Sequence, residues 1–443
     1  MHRSEAEPHG QPDGSMTGLA SPLVGRDAEL ATLLGLGEAV RAGLGRAALI
    51  VGEPGLGKTR LLAEWQSADQ ATAASPPLRW ARGACLSDSR GLAYYLLLSL
   101  LRSLIGVPAT TSEPDTRAAL SALVQDLFAS GEDGADEYIR QREPGQDRGA
   151  AVYASLALML SLKPEGLALG RMQPLDPQTL QAQYLVALRQ LLQALAARGP
   201  LVLILENLHW ADPSSIELLT RLLPLAAAAP VLFCLVTRPD YDAPGWRMVA
   251  AMRELMGGSL TELALPPLSG PDSQRLVSNL LCSHHPCEGS QPSQGVLALV
   301  LAKAEGNPLF IEEVVRALVD RGTLALQGGT WVLEEEIASV GIPDTLQGAL
   351  LARIDHLPEE ARTILRVASV IGKEFPARVL EQVLNRPRAW LVGHMNGLES
   401  AGLVSISQVT PELVYRFRSA LVQEVTYRSM PALDRQRVHL AIG

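Results

Sequence analysis

Two short stretches hold the residues whose types and spacing could do chemistry. GEPGLGKT, Gly52 to Thr59, fits the phosphate-binding pattern GxxxxGK[ST]. Holding polyphosphate needs backbone N–H groups aimed inward, and Gly52, Gly55 and Gly57 let the chain approach without a Cβ. In this pattern Lys58 reaches the β- and γ-phosphates and the Thr59 hydroxyl ligates Mg²⁺. A helix beginning here adds favourable partial charge. Gly52, Glu53, Pro54, Gly55, Leu56, Gly57, Lys58, Thr59 and Arg60 are therefore the expected phosphate contacts.

The second stretch is LVLILENLHWAD, Leu201 to Asp212. An apolar run that ends in Glu206 is how a buried strand delivers a carboxylate to Mg²⁺ beside such a loop. The next residue, Asn207, is a neutral amide that can bind a water but cannot take its proton. Asp212 has a structural reading that outweighs a catalytic one. In ADPSS it is a helix N-cap followed by Pro213 at the first helical position. His209 and Trp210 read as packing residues at the strand exit.

CSHHPC, Cys282 to Cys287, contains two cysteines and two histidines. Compressed into six residues, they lack the separated elements that close a zinc tetrahedron, so the stretch reads as a surface loop.

The elements that must position these groups follow a parallel α/β pattern. AALIVG, LRWARG, LVLIL and VLFCLVT read as strands, apolar on both faces as central parallel strands are, and ELALPPL as a closing strand. TRLLAEWQ begins a helix directly after the loop. GLAYYLLLSLLRSLI reads as a core-facing helix, and PQTLQAQYLVALRQLLQALAARG as one long helix stopped by Gly199. The charged, Gly-rich segment 131–149 reads as a solvated loop. From Ser269 helical spacing dominates, and after Ile342 a hairpin, AGLVSISQ with LVYRFRS, joins the helices.

Bulk properties narrow the classes further. A chain of 443 residues with 47% apolar content supports two to four domains. The net charge of −9 argues against a general nucleic-acid or anionic-membrane binder. Residues 222–236, the longest apolar stretch, are too short for a membrane span and contain Pro224 and Pro230. Four scattered cysteines make no disulfide framework, which fits a reducing cytoplasm. Residues 1–20 lack an apolar core and read as a disordered leader.

Taken together, LVGRDAEL, GEPGLGKTRLLAEW, LVLILENLHWADPSSIELL, VTRPD, AEGNPLFIEEVVRAL, IPDTLQGALLARIDHLP and FRSALVQEV resemble the bacterial STAND-class AAA-like P-loop ATPases. That class supplies the ATPase module of adenylate cyclase-linked and LuxR-type regulators. The resemblance implies an NTPase core over 21–267 with a helical insertion about 86–176, a helical lid over 268–341 and a winged helix over 342–443. It implies ATP or ADP with Mg²⁺ as cofactors, Thr59 and Glu206 being the metal residues. It places Val24, Gly25 and Arg26 at the adenine, Arg238 as a sensor of the γ-phosphate, and Pro308 against the nucleotide.

Two positions depart from the family pattern, Asn207 standing for an acid and Ser419 for a histidine. With Lys58, Glu206 and Arg238 in place, the expectation is a switch that binds nucleotide and hydrolyses it slowly. A fully active motor, a non-hydrolysing scaffold and a DNA-binding regulator are the alternatives. The DNA reading is weakest, because no dense basic stripe marks a recognition helix. Family members continue into helical-repeat sensors, so a sensor segment beyond residue 443, or a protein partner, is expected.

Overall fold

A computed structural model describes residues 21–72, 74–86, 92–108, 111–129, 148–162, 176–284, 291–334, 343, 345–410 and 412–442. The expected leader, residues 131–147 of the charged loop and residues 285–287 of the Cys-His loop lie outside the described residues. The chain divides into two compact units. Residues 25–266 form one, and the chain from Pro267, with the segment ending at Val24, forms the other.

The first unit is built on the strands β1 (Arg46–Val51), β2 (Arg79–Ala84), β3 (Leu201–Glu206), β4 (Val231–Thr237) and β5 (Leu260–Ala264). Their order is β2-β3-β4-β1-β5, and every pairing is parallel. Every residue of β3 and β4 is buried, as their unbroken apolar runs require of strands covered on both faces. Each such Leu, Val or Ile side chain stabilises the fold by roughly 1.5–3 kcal/mol. The edge strand β5 is more exposed and carries Thr261 and Glu262, the latter paired with Arg253 at 2.8 Å. Because all strands are parallel, Val51, Ala84, Glu206 and Thr237 end at one edge of the sheet, where ligands bind in open α/β folds.

Helices α1 (Asp27–Arg41) and α2 (Lys58–Ala71) flank β1 in sequence. The helix Tyr95–Leu104 buries Leu96, Leu97, Leu100, Leu101 and Leu104, an amphipathic stripe whose leucines join the core beneath β2 and β3. The helices Glu113–Ala129, Arg148–Met159 and Pro177–Arg198 add Leu120, Val124, Leu156, Leu188 and Leu191 to that core. The last of them starts where Asp176 accepts hydrogen bonds from the N–H groups of Gln178 and Thr179, with Pro177 at its first position.

In the second unit, helices Gly270–His284, Gln294–Ala304 and Pro308–Asp320 match the expected helical spacing. A small sheet accompanies these helices. Strands β7 (Leu324–Gln327) and β8 (Thr330–Leu333) form an antiparallel hairpin, and β6 (Gln291–Pro292) pairs with β8. The turn is Gly328–Gly329, both at positive φ, which only a glycine pair adopts without strain. Beyond residue 345, six helices and the sheet β10-β11-β9 follow among the described residues; β9 is Glu374–Pro376, β10 Val404–Gln408 and β11 Val414–Phe417. The hairpin β10–β11 falls on the two segments read as such, and β9 adds a third strand to it. Among the described residues no helix is long and apolar enough to cross a membrane.

Candidate functional site

The loop between β1 and α2 takes the conformation its glycines allow. Gly55 and Gly57 have φ of 85° and 88°, a region closed to residues that carry a bulky side chain. Gly57 immediately precedes the first turn of α2, a position where N–H groups have no partner within the helix. The Lys58 ammonium donates to the carbonyls of Gly52 at 2.7 Å and Glu53 at 2.9 Å. Burial of that ammonium, helped by the Arg238 charge, pulls its pKa down to about 8, against the opposing pull of Glu53 and Glu206.

Glu206 closes the other side. It is 2% exposed, and its Oε2 accepts the Thr59 hydroxyl at 3.1 Å. Arg82 Nη1 lies 3.3 Å from Oε1, an ion pair by distance, yet Oε1 receives no hydrogen bond. A buried carboxylate oxygen with unused lone pairs, next to a threonine hydroxyl, is a hard oxygen donor set that fits Mg²⁺. Mg²⁺ takes few protein ligands and fills the rest of its shell with phosphate and water. Among the described residues no group of three or more His, Cys, Asp or Glu is poised for a metal.

Asn207 follows with φ 59° and ψ 39°, a left-handed conformation that asparagine tolerates. Its Nδ2 donates to the Cys85 carbonyl at 3.1 Å, tying the exit of β3 to that of β2. Asp212 is an N-cap: Oδ1 accepts from Ser215 N at 2.8 Å, at the start of the helix Pro213–Leu222. The same oxygen accepts from Tyr94 N at 2.8 Å, anchoring the turn before the helix Tyr95–Leu104. His209 and Trp210 are both buried, 3% exposed, with their rings 4.4 Å apart.

Arg238, just past β4, stacks its guanidinium over the Trp210 ring at 5.2 Å. Its charge bears on Lys58, so it sits at the same edge of the sheet. Arg26 is 4% exposed and braces the loop from behind, donating to the Leu56 carbonyl at 3.4 Å and the Pro266 carbonyl at 2.5 Å. Gly25 precedes it at φ 65°. Arg60 points along α2 to Glu64 at 3.6 Å. Pro54 and Glu53 lie in the loop itself.

Val24 and Pro308 belong to the second unit. Pro308 is the first residue of the helix Pro308–Asp320, capped by Asn307. Ser419 likewise caps the helix Ala420–Ser429, accepting from Val422 N at 3.1 Å. Four partners at the site were not apparent from sequence: Arg82, the Cys85 carbonyl, Gln66 and Tyr94 N. Arg82 shares a face of β2 with Ala84, the register partner of Glu206, so its role rests on pairing register.

Residues 22–235 match the family described as the AAA ATPase domain, a span that includes the loop, Glu206 and most of the parallel sheet. An uncharacterized protein of Rhizobium meliloti (strain 1021) is 28% identical over 429 residues, 95% of this chain and 36% of that protein. Among solved structures, a signal transduction ATPase with numerous domains carrying a tetratricopeptide repeat sensor, from Pyrococcus horikoshii, is 14% identical. It has a TM-score of 0.46 and covers 98% of this chain and 46% of that one. The ORC1 protein of Aeropyrum pernix, solved with DNA, is 15% identical with a TM-score of 0.40, covering 96% of each chain. The chain thus spans about a third of its curated relative and under half of the Pyrococcus protein.

Proposed function

We propose that this chain is an ATP/ADP-binding switch, the regulatory ATPase module of a larger signalling protein, and that it hydrolyses ATP slowly. The observation that carries the reading is the placement of Lys58, Thr59 and Glu206 around one glycine loop, with the Asn207 amide turned into the Cys85 carbonyl. In this reading the loop amides and Lys58 hold the phosphates, Thr59 and Glu206 hold Mg²⁺, and Arg238 meets the γ-phosphate. Bound Mg²⁺ neutralises phosphate charge. What is missing is a carboxylate after Glu206 to orient and deprotonate water, and such a loss costs on the order of 10²–10⁴ in rate.

The second unit supplies the lid and winged helix in this reading. Ser419, engaged as a helix cap, replaces the imidazole that would report nucleotide state. The match of residues 22–235 to an AAA ATPase domain supports the nucleotide part of the reading. Calorimetry with ATP and MgCl₂ on the full chain and on Lys58→Ala tests it. Loss of most affinity in the variant is expected, since a phosphate loses its main cation. Equal affinity in both proteins would overturn the proposal.

A further inference from the structure

Arg82 has a position that the P-loop chemistry does not use. It lies on β2, two residues before Ala84, which pairs in register with Glu206. Residues two apart on a strand share a face, so the Arg82 side chain runs up that face toward the carboxylate. Its Nη1 stands 3.3 Å from Glu206 Oε1, while Nη2 donates to Gln66 Oε1 on α2 at 3.4 Å. Glu206 is almost wholly buried, and a buried carboxylate without a cation is strongly unfavourable. Oε2 has the Thr59 hydroxyl; among the described residues Oε1 has the Arg82 guanidinium beside it and receives no hydrogen bond.

We propose that Arg82 is the built-in counter-cation of the magnesium carboxylate, and that it sets how much Mg²⁺ the nucleotide site demands. The inference rests on the nucleotide reading above. In the metal-free protein Arg82 stands in for the ion and keeps the Glu206 carboxylate compensated. Thr59 and Glu206 would hold Mg²⁺, and the Arg82 guanidinium would then be a like charge near it. Arg82 would therefore oppose metal binding until the negative charge of a nucleotide offsets it. Gln66 keeps the guanidinium within reach of the carboxylate and anchors it to α2. Arg82 is thus a positioning residue, acting on the metal through Glu206.

The test uses the full chain and titrates ADP calorimetrically at a series of MgCl₂ concentrations. It reads the Mg²⁺ concentration that gives half the limiting ADP affinity. Arg82→Gln and Arg82→Met, which remove the charge, are expected to lower that concentration about three- to tenfold, the partial exposure of Arg82 keeping the effect modest. Arg82→Lys keeps a charge and is expected to behave like the wild type. A second readout needs no nucleotide: in EDTA the Gln and Met variants melt below the wild type, and MgCl₂ restores more of their Tm than it adds to the wild type. An unchanged or increased Mg²⁺ demand in both neutral variants would overturn the proposal, and so would unfolding that MgCl₂ fails to reverse. A wild type that binds no ADP at any Mg²⁺ concentration would remove the nucleotide reading itself, and the proposal with it.

Discussion

Lys58 makes the nucleotide site sensitive to pH in a direction that can be worked out in advance. With the free-protein pKa at about 8, the ammonium is mostly present at pH 7 and mostly lost at pH 9. Phosphates in the loop favour the charged form and raise the pKa in the complex. Nucleotide binding is then coupled to proton uptake in the window above pH 8. At pH 9 about one Lys58 in eleven is protonated in the free protein, so apparent affinity falls about tenfold from pH 7, or about 1.4 kcal/mol. Folding has the opposite dependence. The folded pKa lies below the unfolded 10.5, so the cost of burying this ammonium is full below pH 8 and relieved as pH rises to 10.5. The assay is ATP calorimetry at pH 7 and pH 9 in buffers of different ionisation enthalpy, which counts protons directly. Expected uptake is near zero at pH 7 and close to one proton at pH 9, and Lys58→Arg should abolish the difference. Affinity that is flat from pH 7 to 9.5, with no proton uptake, would refute the reasoning.

Three further outcomes follow from the contacts. Asp212→Ala removes a cap and strands the Tyr94 N–H, so urea unfolding should show a loss of about 2–4 kcal/mol; Asp212→Asn, which keeps an acceptor oxygen, should lose under about 1 kcal/mol. Arg353 clasps both oxygens of the buried Glu313 at 2.5 and 2.7 Å, and Arg353→Met should cost about 3–5 kcal/mol in the same assay by stripping a buried carboxylate of its hydrogen-bonded cation. Asn207→Asp replaces a donor to the Cys85 carbonyl with a carboxylate that repels it, and should lower stability by about 1–3 kcal/mol by chemical denaturation whatever it does to turnover.

The features legible in the sequence are those that live in a short window. The strand runs at Ala47 and Leu201, the loop glycines, the N-cap at Asp212 and the stop at Gly199 all depend on near neighbours. The site partners that were missed depend on register. Arg82 meets Glu206 because β2 and β3 pair in parallel with Ala84 opposite Glu206. Tyr94 reaches Asp212 across 118 residues. Asn207 read as a lost acid, but the bond its Nδ2 donates to the Cys85 carbonyl shows what an amide does there that a carboxylate could not. The hairpin Leu324–Leu333 was legible in principle from Gly328–Gly329 between two short alternating runs. The helical spacing before it overrode that signal.

The central claim is that this site holds ATP and turns it over slowly, and single-turnover hydrolysis tests it most directly. With protein in excess over radiolabelled ATP and saturating MgCl₂, phosphate release is followed in the wild type and in Asn207→Asp. Kinase chemistry with all parts in place runs at about 1–100 s⁻¹, so on that scale the loss of one positioned base, on the order of 10²–10⁴, puts the wild type at about 1 s⁻¹ or below. That slow rate is expected, with faster release in Asn207→Asp, whose carboxylate makes no bond to the Cys85 carbonyl and is left to orient water. A wild-type rate above about 1 s⁻¹, with no gain in the variant, would contradict it.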